Sequence, residues 1–263
     1  MVFDSTDAVN AQLLPAIRDF VEYYPDDKAA VIVTNEITLA TLVDVWVIFL
    51  FYDGPEPPAG TFDNITNIGP VLNTCTTTTY LDFVTQEDSL VFMGDVYIIA
   101  TESTTLPNAE VGLEVMSSYH NYFVDVAMAN ALVPGLTATM TFQPIPKRLA
   151  QKSKANGGDL IDLDDSVDRI FFEFDYSFTS TLSDAQMTVA LETLYTGIRE
   201  RALAFIANGT IPDGYLPLFM NDANYQENYW GRLRPETLSY AEGVRQKYDP
   251  NAFFKERTGG FKL

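Results

Sequence analysis

Cysteine, histidine and positive charge are all scarce in this chain. Cys75 is its one cysteine, so there is no disulfide framework within the chain and no thiolate-rich zinc site. His120 is its one histidine, which leaves a histidine metal site or a nucleophile relay without a second ring. With 16 basic against 36 acidic residues the formal net charge is −20, a surface that repels phosphate backbones and anionic lipid alike. Neither nucleic acid nor a membrane is an expected partner. The longest apolar run, Val45 to Tyr52, falls far short of the roughly 20 residues of a spanning helix. Absent too are GxGxxG, the phosphate-cradling P-loop, GxSxG and HExxH. The opening "MVFDSTDAVN" has neither a basic nor an apolar leader region, so no secretory signal is read and the cytoplasm is the default expectation.

What is present is a chain of 263 residues, 47% of them hydrophobic, enough to bury a large core. No repeat or low-complexity linker divides it, and residues 1–263 read as one α+β domain. Leu13, Ile17, Phe20 and Val21 recur at helical spacing between Ser5 and Tyr24, with Pro15 against the pattern. Ala29 to Val33 and Leu42 to Tyr52 read as strands, the second apolar on both faces and therefore expected at the centre of a sheet. "TCTTTTY" and Leu90 to Ala100 read as two further extended segments. Asn108 is placed to cap a helix with the stripe Val111, Val115, Tyr119, Tyr122 and Val126.

The second half carries the strongest periodicity. Leu136, Ala138, Met140 and Phe142 alternate with Thr137, Thr139, Thr141 and Gln143, the period of a half-buried strand. In "RIFFEFDYSFTS", Ile170, Phe172, Phe174, Tyr176 and Phe178 share one face, opposite Glu173, Asp175, Ser177 and Thr179. A long helix from Ser183, with Met187, Leu191, Leu194, Tyr195, Ile198, Phe205 and Ile206 on one side and Gly209 at its end, is suited to cover the apolar face. The expected fold is an antiparallel sheet with helices on one face and its polar face open toward a cleft.

Glu173 and Asp175 share that polar face and can act as acid and base if it lines a cavity, although solvated residues on an ordinary sheet explain the pair equally well. His120 is a third candidate acid or base, set against a structural role beside an aromatic stripe. The acidic stretch Asp159 to Asp168 lacks the glycine and closing glutamate of a calcium loop and reads as a solvated loop. No metal is expected.

The segment Asn221 to Leu263, with "RPETL", "KYDP" and "GGFKL", resembles the C-terminus of fungal FAD-linked oxidoreductases of the p-cresol methylhydroxylase and berberine-bridge-like type. That family's end reads like N-Y-A-D, then Y-G-P-E-N-L, K-Y-D-P and P-G-G-F-K-L. Asn221, Pro235, Glu236, Leu238, Lys247, Tyr248, Asp249, Pro250 and the closing residues from Gly259 to Leu263 keep the pattern. Asp222 stands where the family has tyrosine, Leu233 and Arg234 where it has Y-G, and Thr237 where it has asparagine. The resemblance implies a substrate domain closed by a strap over residues 213–263, with its open sheet face toward a flavin. Scaffold positions survive while cofactor-facing ones have changed, and Asn221 remains as the one remnant of a cofactor contact. The N-terminal domain that holds FAD in the family is not represented, so FAD is expected only if another domain or a partner subunit supplies its site.

Oxidoreductase is accordingly the family activity, expected on a secondary metabolite, a small apolar or aromatic molecule. A cofactor-independent isomerase, cyclase or dehydratase in the former cleft and a non-catalytic partner of an FAD-binding subunit are the alternatives. In this reading Asp222 joins Glu173, Asp175 and His120 as an acid or base, and Thr139, Thr141, Tyr225 and Trp230 contact the substrate.

Overall fold

The computed structural model describes residues 1–24, 26–87 and 93–263. In chain order its elements are β1 (Val2–Asp4), α1 (Asp7–Tyr23), β2 (Ala29–Thr38), β3 (Val43–Tyr52), α2 (Asp63–Thr66), α3 (Tyr80–Glu87), β4 (Val96–Thr105) and α4 (Gly112–Ala129). Then follow β5 (Thr137–Ile145), α5 (Lys147–Ala155), β6 (Arg169–Phe178), α6 (Asp184–Ala207), α7 (Tyr229–Arg232), α8 (Pro235–Tyr248) and α9 (Phe253–Arg257). The strands form one six-stranded sheet in the order β1-β3-β2-β5-β6-β4, and every pairing is antiparallel.

The period-two patterns place the core as expected. Ala138, Met140 and Phe142 of β5 and Ile170, Phe172, Phe174, Tyr176 and Phe178 of β6 are fully buried against the helical layer. Helices α1, α4 and α6 build that layer, and one continuous core joins their buried stripes to the sheet. Helix α6 buries Met187, Leu191, Leu194 and Ile198 and ends where Gly209 takes a φ of +76°, a left-handed turn that glycine adopts without a Cβ clash. Pro15 sits inside α1 without ending it.

Three expectations are corrected. Strand β3 lies next to the edge, between the short β1 and β2. Its second apolar face, with Phe49 and Phe51, lines the open side of the sheet and explains the composition that suggested a central strand. The threonine run forms no strand, and the helix α3 starts after it. Thr79 Oγ1 accepts from Asp82 N at 3.1 Å and donates to Asp82 Oδ2 at 2.8 Å, a reciprocal cap that starts a helix despite the strand propensity of threonine. The acidic stretch is held by cations: Asp164 pairs with Arg169, Asp162 with Arg234, and Asp165 with Lys154 at 2.7 Å. The extended segment read from Leu90 begins partly outside the described residues, and β4 starts at Val96.

The strap from residue 212 onward closes the free edge of β4. Thr105 Oγ1 donates to Pro212 O at 2.6 Å and Ser103 Oγ to Pro217 O at 2.7 Å, while Asn224 Nδ2 donates to Ile99 O at 2.8 Å. The β4 hydroxyls thus anchor the strap, and the strap's Asn224 side chain satisfies an edge carbonyl that would otherwise be open to another strand. Pro235 begins α8, and the Asp249 carboxylate accepts from Phe253 N at 2.6 Å and Phe254 N at 3.0 Å to start α9.

The same strap brings Glu227 to the strand edge, where its Oε2 accepts from Asn224 N at 2.6 Å and Thr101 N at 3.2 Å. Burial pushes this carboxyl from an ordinary value of 4.5 up to about 7, opposed by the two backbone donors. The folded state therefore binds the proton more tightly than the unfolded chain, and the stability tied to it falls as pH rises from about 4.5 through about 7. Glu227→Gln keeps an acceptor oxygen and removes the charge. It should stabilise the protein at pH 8 by up to about 3 kcal/mol, at about 1.4 kcal/mol per pKa unit, and leave stability at pH 4 unchanged. Urea denaturation at both pH values checks this, and equal effects at both would count against it.

Candidate active site

The polar face of the central strands forms the floor of a cleft of about 640 Å³. Antiparallel register sets Thr141 opposite Glu173 and Thr139 opposite Asp175, while Thr34 and Glu36 of β2 face Thr141 and Thr139. Thr34 and Thr141 share a hydroxyl hydrogen bond of 2.9 Å. Ala30, Ile32, Phe49, Phe51, Phe83 and Tyr97 form the apolar part of the lining. Among the described residues, Glu36, Glu173 and Asp175 are its carboxyls, and no lysine, arginine or histidine lines it.

Gln143, next along β5 on this face, joins the strap to the carboxyls. Its Nε2 donates to Glu173 Oε2 at 2.9 Å and to Asp222 Oδ2 at 2.8 Å. Glu173 and Asp175, two apart on β6, sit side by side on this face. Burial pushes Glu173 well above the ordinary carboxylate range, and the like charges of Asp175 and Asp222 push it further. Burial also raises Asp175, with the hydrogen bond from Glu173 acting in the opposite sense. Asp222 is raised by burial and partly relieved by the Gln143 amide. Neighbouring carboxyls that are both raised can supply an acid and a base, the two functions a proton-transfer step needs.

Of the sequence candidates, Glu173, Asp175, Asp222, Thr139 and Thr141 thus meet on one face. His120 is on the other side of the sheet, 3% exposed, with Nε2 at 3.0 Å from Asn35 Oδ1 and its ring stacked 5.1 Å from Trp46. Burial lowers its pKa, so this imidazole is held neutral inside the helical layer, away from the cleft. Tyr225 is 79% exposed outside the cleft lining, and Asn221 is exposed on the strap. Trp230 packs edge-on against Tyr229 and lines a different cavity, of about 920 Å³, between α8, α9 and the chain end. Gln143 and Glu36 were missed as site residues, although period-two alternation already put Gln143 on the polar face. Among the described residues no cluster of histidine, cysteine and carboxylate side chains is arranged to hold a metal.

No family model matches the sequence. A search of curated proteins finds an uncharacterized FAD-linked oxidoreductase from Arthroderma benhamiae, 34% identical over 252 residues, covering 95% of this chain and 50% of that protein. Over nearly its whole length the chain is thus similar to about half of that FAD-linked oxidoreductase. The FAD-dependent monooxygenase drtC of Aspergillus calidoustus is 22% identical over 256 residues, covering 96% of this chain and 47% of its own length. The chain thus spans about half the length of the curated relatives it matches.

Solved structures share the fold. Glucooligosaccharide oxidase from Acremonium strictum superposes with a TM-score of 0.61 at 13% identity, over 95% of this chain and 52% of that one. Carbohydrate oxidase from Microdochium nivale gives 0.59 at 13%, over 96% and 52%, and a berberine bridge enzyme variant 0.57 at 9%, over 94% and 47%. Half-length coverage, the antiparallel sheet and the C-terminal motif all agree with a C-terminal substrate-domain segment of this family. The cleft does not suit the whole cofactor. FAD carries an anionic diphosphate, and among the described residues the lining offers carboxyls and no cation to receive it.

Among the described residues no helix is long and apolar enough to cross a bilayer.

Proposed function

We propose that this chain is the substrate-binding part of an FAD-linked oxidoreductase acting on a small apolar or aromatic secondary metabolite, with FAD held by another domain or a partner subunit. The observation that supports this reading is the Glu173–Asp175–Asp222 cluster, set into the open sheet face of a chain related to such enzymes. The apolar wall of Ile32, Phe49, Phe51 and Phe83 binds the body of the substrate and excludes water. Thr139 and Thr141 orient its polar end toward the carboxyls. The ionised member of the Glu173–Asp175 pair takes a proton from a substrate hydroxyl or amine, and the protonated member can return one. The redox chemistry belongs to the flavin half, and this chain handles the proton and the geometry.

The test is to purify the chain alone and together with the FAD-binding half of the Arthroderma relative. The chain alone should be colourless, and the pair should show flavin absorbance and substrate-dependent bleaching. Stoichiometric flavin on the chain alone would overturn the assignment of FAD to another part. Paired carboxyls move protons without a cofactor, which supports a cofactor-independent isomerase, cyclase or dehydratase as the second reading. Turnover of a metabolite by the colourless chain decides for that reading. Stable capture of the flavin half with no dependence of turnover on the cleft residues decides for a non-catalytic docking subunit.

A further inference from the structure

The cleft has a neighbour. A second cavity of about 500 Å³ lies behind its aromatic wall, lined by Leu50, Tyr52, Pro55, Phe62 and the threonines that precede α3. Phe51 and Phe83 line both cavities, with ring centroids 6.5 Å apart at an interplanar angle of 54°. The two rings therefore stand where one cavity ends and the other begins. They come from different kinds of element: Phe51 from the sheet and Phe83 from α3, an eight-residue helix whose described side chains are exposed or half-buried. Its approach is tied to the 53–57 loop by Thr77 Oγ1 donating to Pro55 O at 3.0 Å. Phe83 is absent from the buried core, so its truncation leaves the packing of the fold in place.

We infer that Phe83, closing against Phe51, sets the length of ligand the cleft accepts. The inference rests on the reading of the cleft as the substrate site. Glu173 and Asp175 lie on β6, while Phe51 lies on β3, with β5 and β2 between them. Three strand spacings put these ends about 14 Å or more apart. A ligand whose polar end reaches the carboxyls thus meets the aromatic pair with its far apolar end. A longer apolar tail must displace the Phe83 ring, and with that ring gone it runs on into the cavity lined by Leu50, Tyr52 and Phe62. Ring against ring makes this boundary a steric one, which discriminates by length and leaves the recognition of the polar end to the carboxyls.

A homologous series of ω-phenylalkanols, titrated calorimetrically into the full chain, tests the boundary. In the wild type, affinity should rise about fourfold per added methylene, the gain of burying one such group, and then level off. Phe83→Ala should continue that rise for several further methylenes, and Phe83→Trp should bring the plateau to shorter chains. Ile32→Trp, which fills the cleft itself, should abolish binding in every background. A plateau at the same length in wild type and both Phe83 variants overturns the boundary role while the cleft reading stands. If no member binds, or binding survives Ile32→Trp, the cleft reading falls and the inference falls with it.

Discussion

Exchanging Glu173 for glutamine in the proposed assembly of this chain with an FAD-binding half should lower kcat/KM by about 10²- to 10⁴-fold, the usual contribution of a positioned acid or base. The substitution preserves shape and an acceptor for Gln143 while removing the titratable carboxyl. Substrate affinity should change little, because the apolar wall and the threonines are untouched, so the loss should fall on kcat. Asp175→Asn should have an effect of similar size, and the double variant should lose little more than either single one, because the pair acts as a unit. In the wild type, kcat/KM should rise with pH through a pKa above the ordinary carboxylate range. Burial and neighbouring like charges disfavour ionisation of the pair, and the proton acceptor is the ionised form. A loss below tenfold in both single variants, or a pH profile unchanged by either, would sink the assignment.

Replacing Arg232 by methionine should destabilise the fold by about 3–5 kcal/mol, the cost of leaving a buried charge without its partner. Glu102 is fully buried on β4, and Arg232 of α7 pairs with it through both guanidinium nitrogens while donating to Leu216 O at 2.9 Å. Arg199 of α6 stands 3.8 Å from the same carboxylate, and Ser103 N donates to it at 2.9 Å. One carboxylate therefore holds the strap, the edge strand and the long helix together. Burial raises the pKa of Glu102, opposed chiefly by Arg232, so loss of the arginine should raise it further and make the destabilisation grow with pH. Adding Glu102→Gln to Arg232→Met should recover much of the loss, because the stranded charge is gone. The strap should also become sensitive to limited proteolysis in the single variant. A destabilisation under about 1 kcal/mol would place this pair with weak surface bridges and reject the clamp.

These predictions differ in how far the sequence reaches them. Glu173 and Asp175 are legible from alternation alone, since side chains two apart on a strand share a face. Their partner Asp222 is 47 positions or more away in the chain, and the Gln143 amide that joins it to Glu173 is visible only once the strap has returned to the sheet. Glu102 gives a similar lesson. In a run of threonines and serine it reads as a surface charge, yet the strap covers it and supplies Arg232 from 130 residues away. Sequence spacing carries no information on such contacts. The helix α3 is a different case: its signal, Thr79 three residues before Asp82, was present and was outweighed by the strand propensity of the threonines before it.

The sequence by itself determined the α+β class, the apolar and polar faces of β5 and β6, the covering helix α6 and the ancestry carried by the C-terminal motifs. All of these rest on periodicity or on contiguous residues, which the chain carries locally. Tertiary structure alone decided which polar residues distant in the chain join Glu173 and Asp175. It put His120 behind the sheet although it can titrate, because helix α4 turns its buried face toward the sheet and the ring finds Asn35 of β2 and Trp46 of β3 there. It also set Phe51 and Phe83 against each other, because two surfaces distant in sequence had to cover the same apolar strand face.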